Sequence, residues 1–184
     1  MERMAQREII LPETTPETEW LRSRAVQKVS PQRRHGELQL WLGSRLGTWA
    51  RGKGRVASEW RFRVAPPGEV VRPLVPDISF LSYDSMCGKT SAEWDAPLAA
   101  PDVAVEIRSP SDRPDDLADK VATLLRAGTH AVFVIDPDAR NVTAHDATGA
   151  HKLSASGTLE HPALPGFTVD LTEMFDALEL DEPR

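Results

Sequence analysis

The sequence is poor in cysteine and contains no long apolar run. Its one cysteine, Cys87, cannot form a disulfide within the chain or supply a cysteine-rich zinc site. No segment approaches the roughly 20 apolar residues that cross a bilayer. Residues 1–11 are polar and mixed in charge, unlike a signal peptide. We therefore expect a soluble protein of the reducing cytoplasm, with no membrane partner.

Common signatures of nucleotide and metal binding are also missing. Neither GxxxxGK[ST] nor GxGxxG occurs, so no phosphate-cradling loop is predicted. The five histidines show no metal-ligand spacing. We expect His35, just inside a predicted helix start, to be a surface or interface residue rather than a general base. A small-molecule enzyme has no supporting motif.

The length of 184 residues predicts a single domain, and 40% hydrophobic with 27% charged residues is ordinary globular composition. Residues 1–18 carry two prolines and no periodicity, so we expect a poorly ordered lead-in before a domain over 19–180. The net charge of −6 divides into +6 for residues 1–63 and −12 for the remainder. This division could form a positive face beside an acidic one, or simply two solvated faces.

Hydrophobic periodicity and turn residues predict a mixed β-sheet flanked by helices. Ser30 and Pro31 resemble an N-cap and a first helical residue. Strands are predicted over 55–64, 78–81, 103–107, 131–135 and 142–145, a hairpin over 19–29, helices over 31–51, 115–127 and 171–178, a loop over 65–76 and an irregular stretch over 82–101.

Two carboxylates occur in or beside apolar strands. Glu106 lies within an apolar strand, where a carboxylate needs a cation, hydrogen-bond donors or a metal ion. Asp77 opens another apolar strand directly after Pro76. If the two strands are neighbours, these oxygens suit Mg²⁺ or Mn²⁺.

Lys120 completes the candidate group. It borders the apolar stripe of a predicted helix, so its stem can lie on the core while its ammonium points at the sheet. A metal ion activates water and polarises a phosphate, and an ammonium stabilises the developing charge. The three residues together predict phosphodiester hydrolysis.

The spacing of these residues supports ordinary structural roles as well as it supports a metal site. Asp77 could cap a turn after the proline, and Glu106 could pair with Arg108 on the same strand face. Lys120 could pair with Asp116 one helical turn earlier.

The most informative segments are PDISF at 76–80 and PDVAVEIRSPS at 101–111, followed by Asp116 and Lys120. With EWL at 19–21, SP at 30–31, HG at 35–36 and LPGF at 164–167, these segments resemble the Uma-two family. The resemblance covers most of the chain, and EIRSPSD followed by a helix with a lysine is its most specific part.

The resemblance implies a restriction-endonuclease-like PD-(D/E)xK fold with a metal-dependent nuclease site. Asp77 and Glu106 match the two acids, and Lys120 matches the lysine, here moved onto the following helix. Arg108 stands where the superfamily pattern has lysine; it can hold a phosphate but cannot act as a base.

The backbone carbonyl of Ile107 is a further expected ligand. Glu37 matches a position where such folds sometimes supply another acid, although pairing with Arg33 or Arg34 is the favoured interpretation.

We therefore expect a Mg²⁺- or Mn²⁺-dependent DNA endonuclease that forms a homodimer. The alternative is a non-catalytic member of the same fold that binds nucleic acid or a partner protein, which the net acidity and Arg108 favour.

Overall fold

The computed structural model describes residues 7–29 and 32–179, and this part contains twelve strands and four helices. The strands are β1 (Thr18–Leu21), β2 (Arg24–Gln27), β3 (Gly54–Ser58), β4 (Phe62–Val64), β5 (Arg72–Leu74), β6 (Ile78–Ser82), β7 (Val103–Ile107), β8 (Ala131–Asp136), β9 (Asn141–Asp146), β10 (Gly149–Leu153), β11 (Thr158–Leu159) and β12 (Val169–Asp170). The helices are α1 (Arg33–Trp49), α2 (Ser91–Asp95), α3 (Pro114–Arg126) and α4 (Leu171–Asp176).

A six-stranded mixed sheet forms the centre of the molecule, in the order β10-β9-β8-β7-β6-β3. Only β7 and β8 are parallel within this sheet, and α3 makes the crossover between them; the other neighbours are antiparallel. Both β7 and the first five residues of β8 are buried, because the sheet is covered on its two faces. The predicted mixed sheet with flanking helices is confirmed.

Strand alternation divides the core into two clusters, one on each face of the sheet. On one face, Leu38, Leu42 and Leu46 of α1 form a buried stripe at helical spacing and pack with residues of β6, β7 and β8. The opposite face packs α3 and the small sheets β1-β2 and β4-β5 against the other side of the same strands.

The structure corrects several predicted elements. The predicted strand over 55–64 is two strands, β3 and β4, because the backbone turns at Glu59, which has a φ of 51°. The predicted loop over 65–76 contains β5, which pairs with β4, and the predicted irregular stretch over 82–101 contains α2. The predicted hairpin is confirmed as β1 and β2.

Helix α1 follows an N-cap at Gln32; the predicted capping pair Ser30 and Pro31 lies outside the described residues. Near the start of the chain, Glu8 forms a β-bridge with Val71. The lead-in predicted over 1–18 lies partly outside the described residues, and its boundary stays a prediction. No helix in residues 7–29 and 32–179 is long and apolar enough to cross a membrane.

Candidate active site

Asp77 directly precedes β6, beside the carboxyl end of β7. The register places Ile78 opposite Val105, so one further step sets Asp77 opposite Glu106. Directly opposed residues project to the same face of a sheet, with Cβ atoms about 5 Å apart. The backbone N–H of Ile107 donates a 2.6 Å hydrogen bond to Oδ2 of Asp77. Strand pairing therefore brings the two predicted carboxylates together.

Lys120 reaches these carboxylates from α3. Its Nζ lies 2.9 Å from Oε2 of Glu106, 2.8 Å from Oε1 of Glu19 and 2.9 Å from the carbonyl oxygen of Val75. These three acceptors match the three ammonium protons, and the side chain is only 5% exposed. The expected group of Asp77, Glu106 and Lys120 is thus assembled around one pocket.

The alternative pairings are wrong. Arg108 does not satisfy Glu106, because its guanidinium donates to Asp136 at 2.7 Å. Lys120 does not pair with Asp116, whose carboxylate accepts from Arg24 of β2. Asp77 accepts from the next strand rather than from a turn of its own.

Arg108 and Glu37 lie outside the group. Arg108 is 41% exposed at its side chain and lines a separate depression next to Arg34. Glu37 is 43% exposed and pairs with Arg33 on α1, which is the interpretation that spacing favoured. Neither is among the residues that line the pocket of Asp77.

Glu19 of β1 belongs to the site, and the sequence analysis missed it. Its buried carboxylate accepts from Lys120 and, at 2.6 Å, from the backbone N–H of Val75. The signal was the alternation in β1, since Glu19 shares a strand face with Leu21, which is buried. A carboxylate on that face needs a buried partner.

Lys28, which directly follows β2, was missed as well. Its Nζ lies 2.5 Å from Oδ1 of Asp77 and 3.1 Å from both Glu59 and the carbonyl oxygen of Val75. Lys28 alternates with Val26, which packs against the core, and this spacing was the available signal.

The expectation that His35 lies at the surface is wrong. His35 is 8% exposed, and its Nε2 lies 3.3 Å from Oδ2 of Asp77. Its Nδ1 is buried without a hydrogen-bond partner in the described part of the chain. The first turn of α1 therefore faces the site.

These side chains surround a pocket of about 350 Å³ beside the carboxyl end of the central strand β7. Its charged or titratable lining includes Glu19, Lys28, His35, Asp77, Glu106 and Lys120. Burial opposes ionisation of Asp77, but Lys28, His35 and Lys120 outweigh it and hold the pKa of that carboxyl well below its usual range. Burial also opposes the charge of Lys120, yet Glu106 and Glu19 raise the pKa of its ammonium.

For Glu106, burial outweighs the effect of the nearby ammonium of Lys120 on the pKa. Burial, with smaller contributions from the negative charges of Asp77 and Glu19, raises its pKa to about 8, although Lys120 acts in the other direction. The Oε1 atom of Glu106 is buried without a hydrogen-bond partner among the described residues. Glu106 therefore binds its proton more tightly than an exposed glutamate does.

The donor chemistry fits a hard divalent cation. Asp77 and Glu106 offer carboxylate oxygens on the same sheet face, and Oε1 of Glu106 is one of the buried atoms without a hydrogen-bond partner among the described residues. Within residues 7–29 and 32–179, no three His, Cys, Asp or Glu side chains converge as a metal-binding group. An ion here would rest on two carboxylates, with backbone and water oxygens completing its coordination.

Comparisons with known proteins agree with this architecture. A crystal structure described as a putative nuclease belonging to DUF820, from Anabaena variabilis ATCC 29413, superposes with a TM-score of 0.81. It is 23% identical in sequence, and the match covers 92% of this chain and 95% of that chain. No curated protein matches significantly.

The family model Uma2, described as "Putative restriction endonuclease", matches residues 4–172. This match spans the pocket and nearly all of the fold around it. The chain therefore belongs to the Uma2 family.

Proposed function

We propose that this chain is an endonuclease that hydrolyses phosphodiester bonds in DNA with Mg²⁺ or Mn²⁺. The observation that carries the proposal is the buried contact between Lys120 and Glu106, in a pocket where Asp77 is adjacent and Oε1 of Glu106 has no hydrogen-bond partner among the described residues. Membership of a family described as "Putative restriction endonuclease" supports a nucleic-acid substrate.

Asp77, Glu106 and the backbone carbonyl of Ile107 would hold the ion, which supplies Lewis-acid activation of water and polarisation of the phosphate. Asp77 is ready for this role because the pKa of its carboxyl is low, whereas burial raises the pKa of Glu106 and opposes the charged form that a ligand needs. Lys120 stays protonated, so it stabilises negative charge on the phosphate and does not act as a base.

Arg108 has a separate role in this proposal. It lies outside the pocket and donates to Asp136 through Nη1, but its side chain is 41% exposed, so its other N–H groups can bind a phosphate beside the site. We assign no ligand role to Glu37, because it is paired with Arg33 and exposed to solvent.

Plasmid cleavage with Mn²⁺ tests the proposal. We expect the wild type to nick plasmid and Lys120→Ala and Asp77→Asn to lose at least about 100-fold in rate, because each removes transition-state stabilisation or ion binding. Lys120→Met, which keeps the packed stem, covers the case in which the alanine variant fails to fold. Lys89→Met is the matched control, since Lys89 is half-exposed and pairs only with Glu93 among the described residues. Equal rates in all variants would contradict the proposal.

A non-catalytic binding protein of the same fold is the second candidate. It is favoured by the ion pairs that already engage Asp77 and Lys120, and by the lack of a three-ligand group in the described part of the chain. Calorimetric titration with Mg²⁺ or Mn²⁺ separates the two. Saturable binding that an Asp77→Asn, Glu106→Gln variant loses supports the enzyme, and no binding at millimolar ion supports the binder.

We also propose a cytoplasmic homodimer. Leu40 of α1 is 75% exposed, and two copies of a nuclease site can address both strands of a duplex. Sedimentation analysis of the wild type and Leu40→Glu checks the dimer, which the charged variant should weaken. A monomeric wild type at micromolar concentration contradicts it.

A further inference from the structure

Lys28 occupies the open side of the candidate site. Its Nζ lies within 3.1 Å of oxygen atoms from three residues, Glu59, Val75 and Asp77, and the shortest contact, 2.5 Å, is to Oδ1 of Asp77. The side chain lines the pocket and is 14% exposed, whereas Lys120 on the other carboxylate is 5% exposed. Lys28 is therefore the ammonium that lies nearer to solvent.

The two oxygens of Asp77 have different partners. Oδ2 accepts from the backbone N–H of Ile107 and lies beside Nε2 of His35. Oδ1 contacts the ammonium of Lys28 and has no other hydrogen-bond partner in residues 7–29 and 32–179. A cation that enters the pocket and binds Oδ1 meets Lys28 there.

We propose that Lys28 is a built-in counter-ion that takes the place of the divalent ion on Asp77 and leaves that carboxylate when the ion binds. This inference rests on the proposed function. A buried carboxylate without a cation costs several kcal/mol in general, and the ammonium of Lys28 avoids this cost for Asp77 when no ion is bound. Lysine suits the exchange because its ammonium is a compact charge on a flexible stem.

The contacts of Lys28 give the released ammonium a second position. Glu59 is 38% exposed at its side chain and already lies 3.1 Å from Nζ, so Lys28 can remain at the pocket wall after it leaves Asp77. Asp77 is then paired with a cation in both states of the site: with Lys28 when the divalent ion is absent, and with the ion when it is bound.

Calorimetric titration with Mn²⁺ tests the exchange without any activity measurement. We expect Lys28→Gln and Lys28→Met to bind Mn²⁺ about tenfold more tightly than the wild type, because the ion no longer displaces a charged competitor. Lys28→Arg keeps the charge and should stay within about twofold of the wild type. Lys89→Met is the control for a charge removed far from the pocket.

Two further measurements sharpen the result. The gain in affinity should persist at about 1 M NaCl, where the Debye length is about 3 Å and a merely nearby charge is screened. The thermal unfolding midpoint should also rise more on adding Mn²⁺ for Lys28→Gln than for the wild type. Lys28→Gln keeps a hydrogen-bond donor for Asp77 and so covers the case in which Lys28→Met does not fold.

The outcomes separate this inference from the proposed function. Tighter binding by the Gln and Met variants at both salt concentrations supports it. If the wild type binds Mn²⁺ and the variants bind equally or more weakly, the inference is overturned and the proposed function stands. If neither the wild type nor any variant binds Mn²⁺, both are overturned. A Lys28→Gln chain that stays unfolded with and without Mn²⁺ also counts against the exchange.

Discussion

Glu106 shows how one residue's surroundings set the chemistry available to it. It lies 5% exposed on a central strand, shares Lys120 with Glu19, and faces the negative charge of Asp77. One ammonium between two glutamates leaves burial only partly compensated, so the pKa of Glu106 rises to about 8. Asp77, with Lys28 and His35 beside it, has its pKa lowered instead. The pKa values of two carboxyls on one sheet face are thus shifted in opposite directions.

This raised pKa predicts a specific pH dependence of stability. The pKa of Glu106 is 4.5 ordinarily and about 8 in the folded chain, so the folded state binds the proton more tightly. The contribution of Glu106 to the free energy of unfolding therefore falls as pH rises from about 4.5 to about 8, and is constant above that. In EDTA, the wild type should lose about 3–4 kcal/mol relative to Glu106→Gln between pH 5 and pH 8. Urea unfolding at both pH values measures this. A difference between the two proteins that does not change with pH would contradict it.

Local sequence patterns identified the elements whose residues repeat at one period. Strands β6, β7 and β8 and helix α3 were found within a residue or two of their ends, because each is an apolar run or an amphipathic repeat. Strand β5 was missed because it contains Pro73 and exists through its pairing with β4. The break at Glu59 was missed because a positive φ at a non-glycine residue has no strong local signal.

Pairing of β3 with β6 depends on a close approach at Gly54. A Cβ at this position would lie 2.3 Å from the carbonyl oxygen of Leu81 and 2.8 Å from Cα of Ser82, which are backbone atoms. Gly54→Ala should therefore lower the free energy of unfolding by about 2 kcal/mol or more, as measured by urea denaturation. Gly47 on α1 is the matched control, because a Cβ there meets nothing within 4 Å. Gly47→Ala should raise stability by about 0.5–1 kcal/mol. Equal effects of the two substitutions would contradict this account of the strand pair.

Across the whole molecule, the basic first third and the acidic remainder are joined by ion pairs. Among the described residues, five Lys or Arg side chains from the first 63 positions contact carboxylates from later positions: Arg22 with Asp115, Arg24 with Asp116, Lys28 with Asp77, Arg34 with Glu179, and Arg45 with Glu173. Many basic side chains of the first third therefore form ion pairs within the protein instead of a free positive face. Most of these pairs are partly exposed, so they orient the N-terminal elements more than they stabilise the fold.

The charge distribution predicts weak DNA affinity for the ion-free protein. With a net charge of −6 and several N-terminal arginines already paired with carboxylates, the protein offers fewer free cations to phosphates than its basic first third suggests. Fluorescence anisotropy with a labelled duplex in EDTA, at about 0.15 M salt, should give a dissociation constant of about 10⁻⁵ M or weaker. Sub-micromolar binding under these conditions would show a basic surface that these ion pairs do not account for.

The sequence alone determined the fold class, and together with the family resemblance it indicated the three residues at the centre of the candidate site. Apolar strand runs and one amphipathic helix specify a mixed sheet with a crossover, and Asp77, Glu106 and Lys120 are conspicuous as charges on or beside apolar faces. These are local signals, each contained within one element.

Only the tertiary structure decided which other charges join them. Glu19, Lys28 and His35 come from three different elements or their ends, and each meets Asp77 or Lys120 from far along the chain. The tertiary structure also pairs Arg108 with Asp136 rather than with Glu106. A buried charge takes whichever opposite charge the packing of distant elements brings within reach, and that packing depends on the whole core rather than on spacing along the chain.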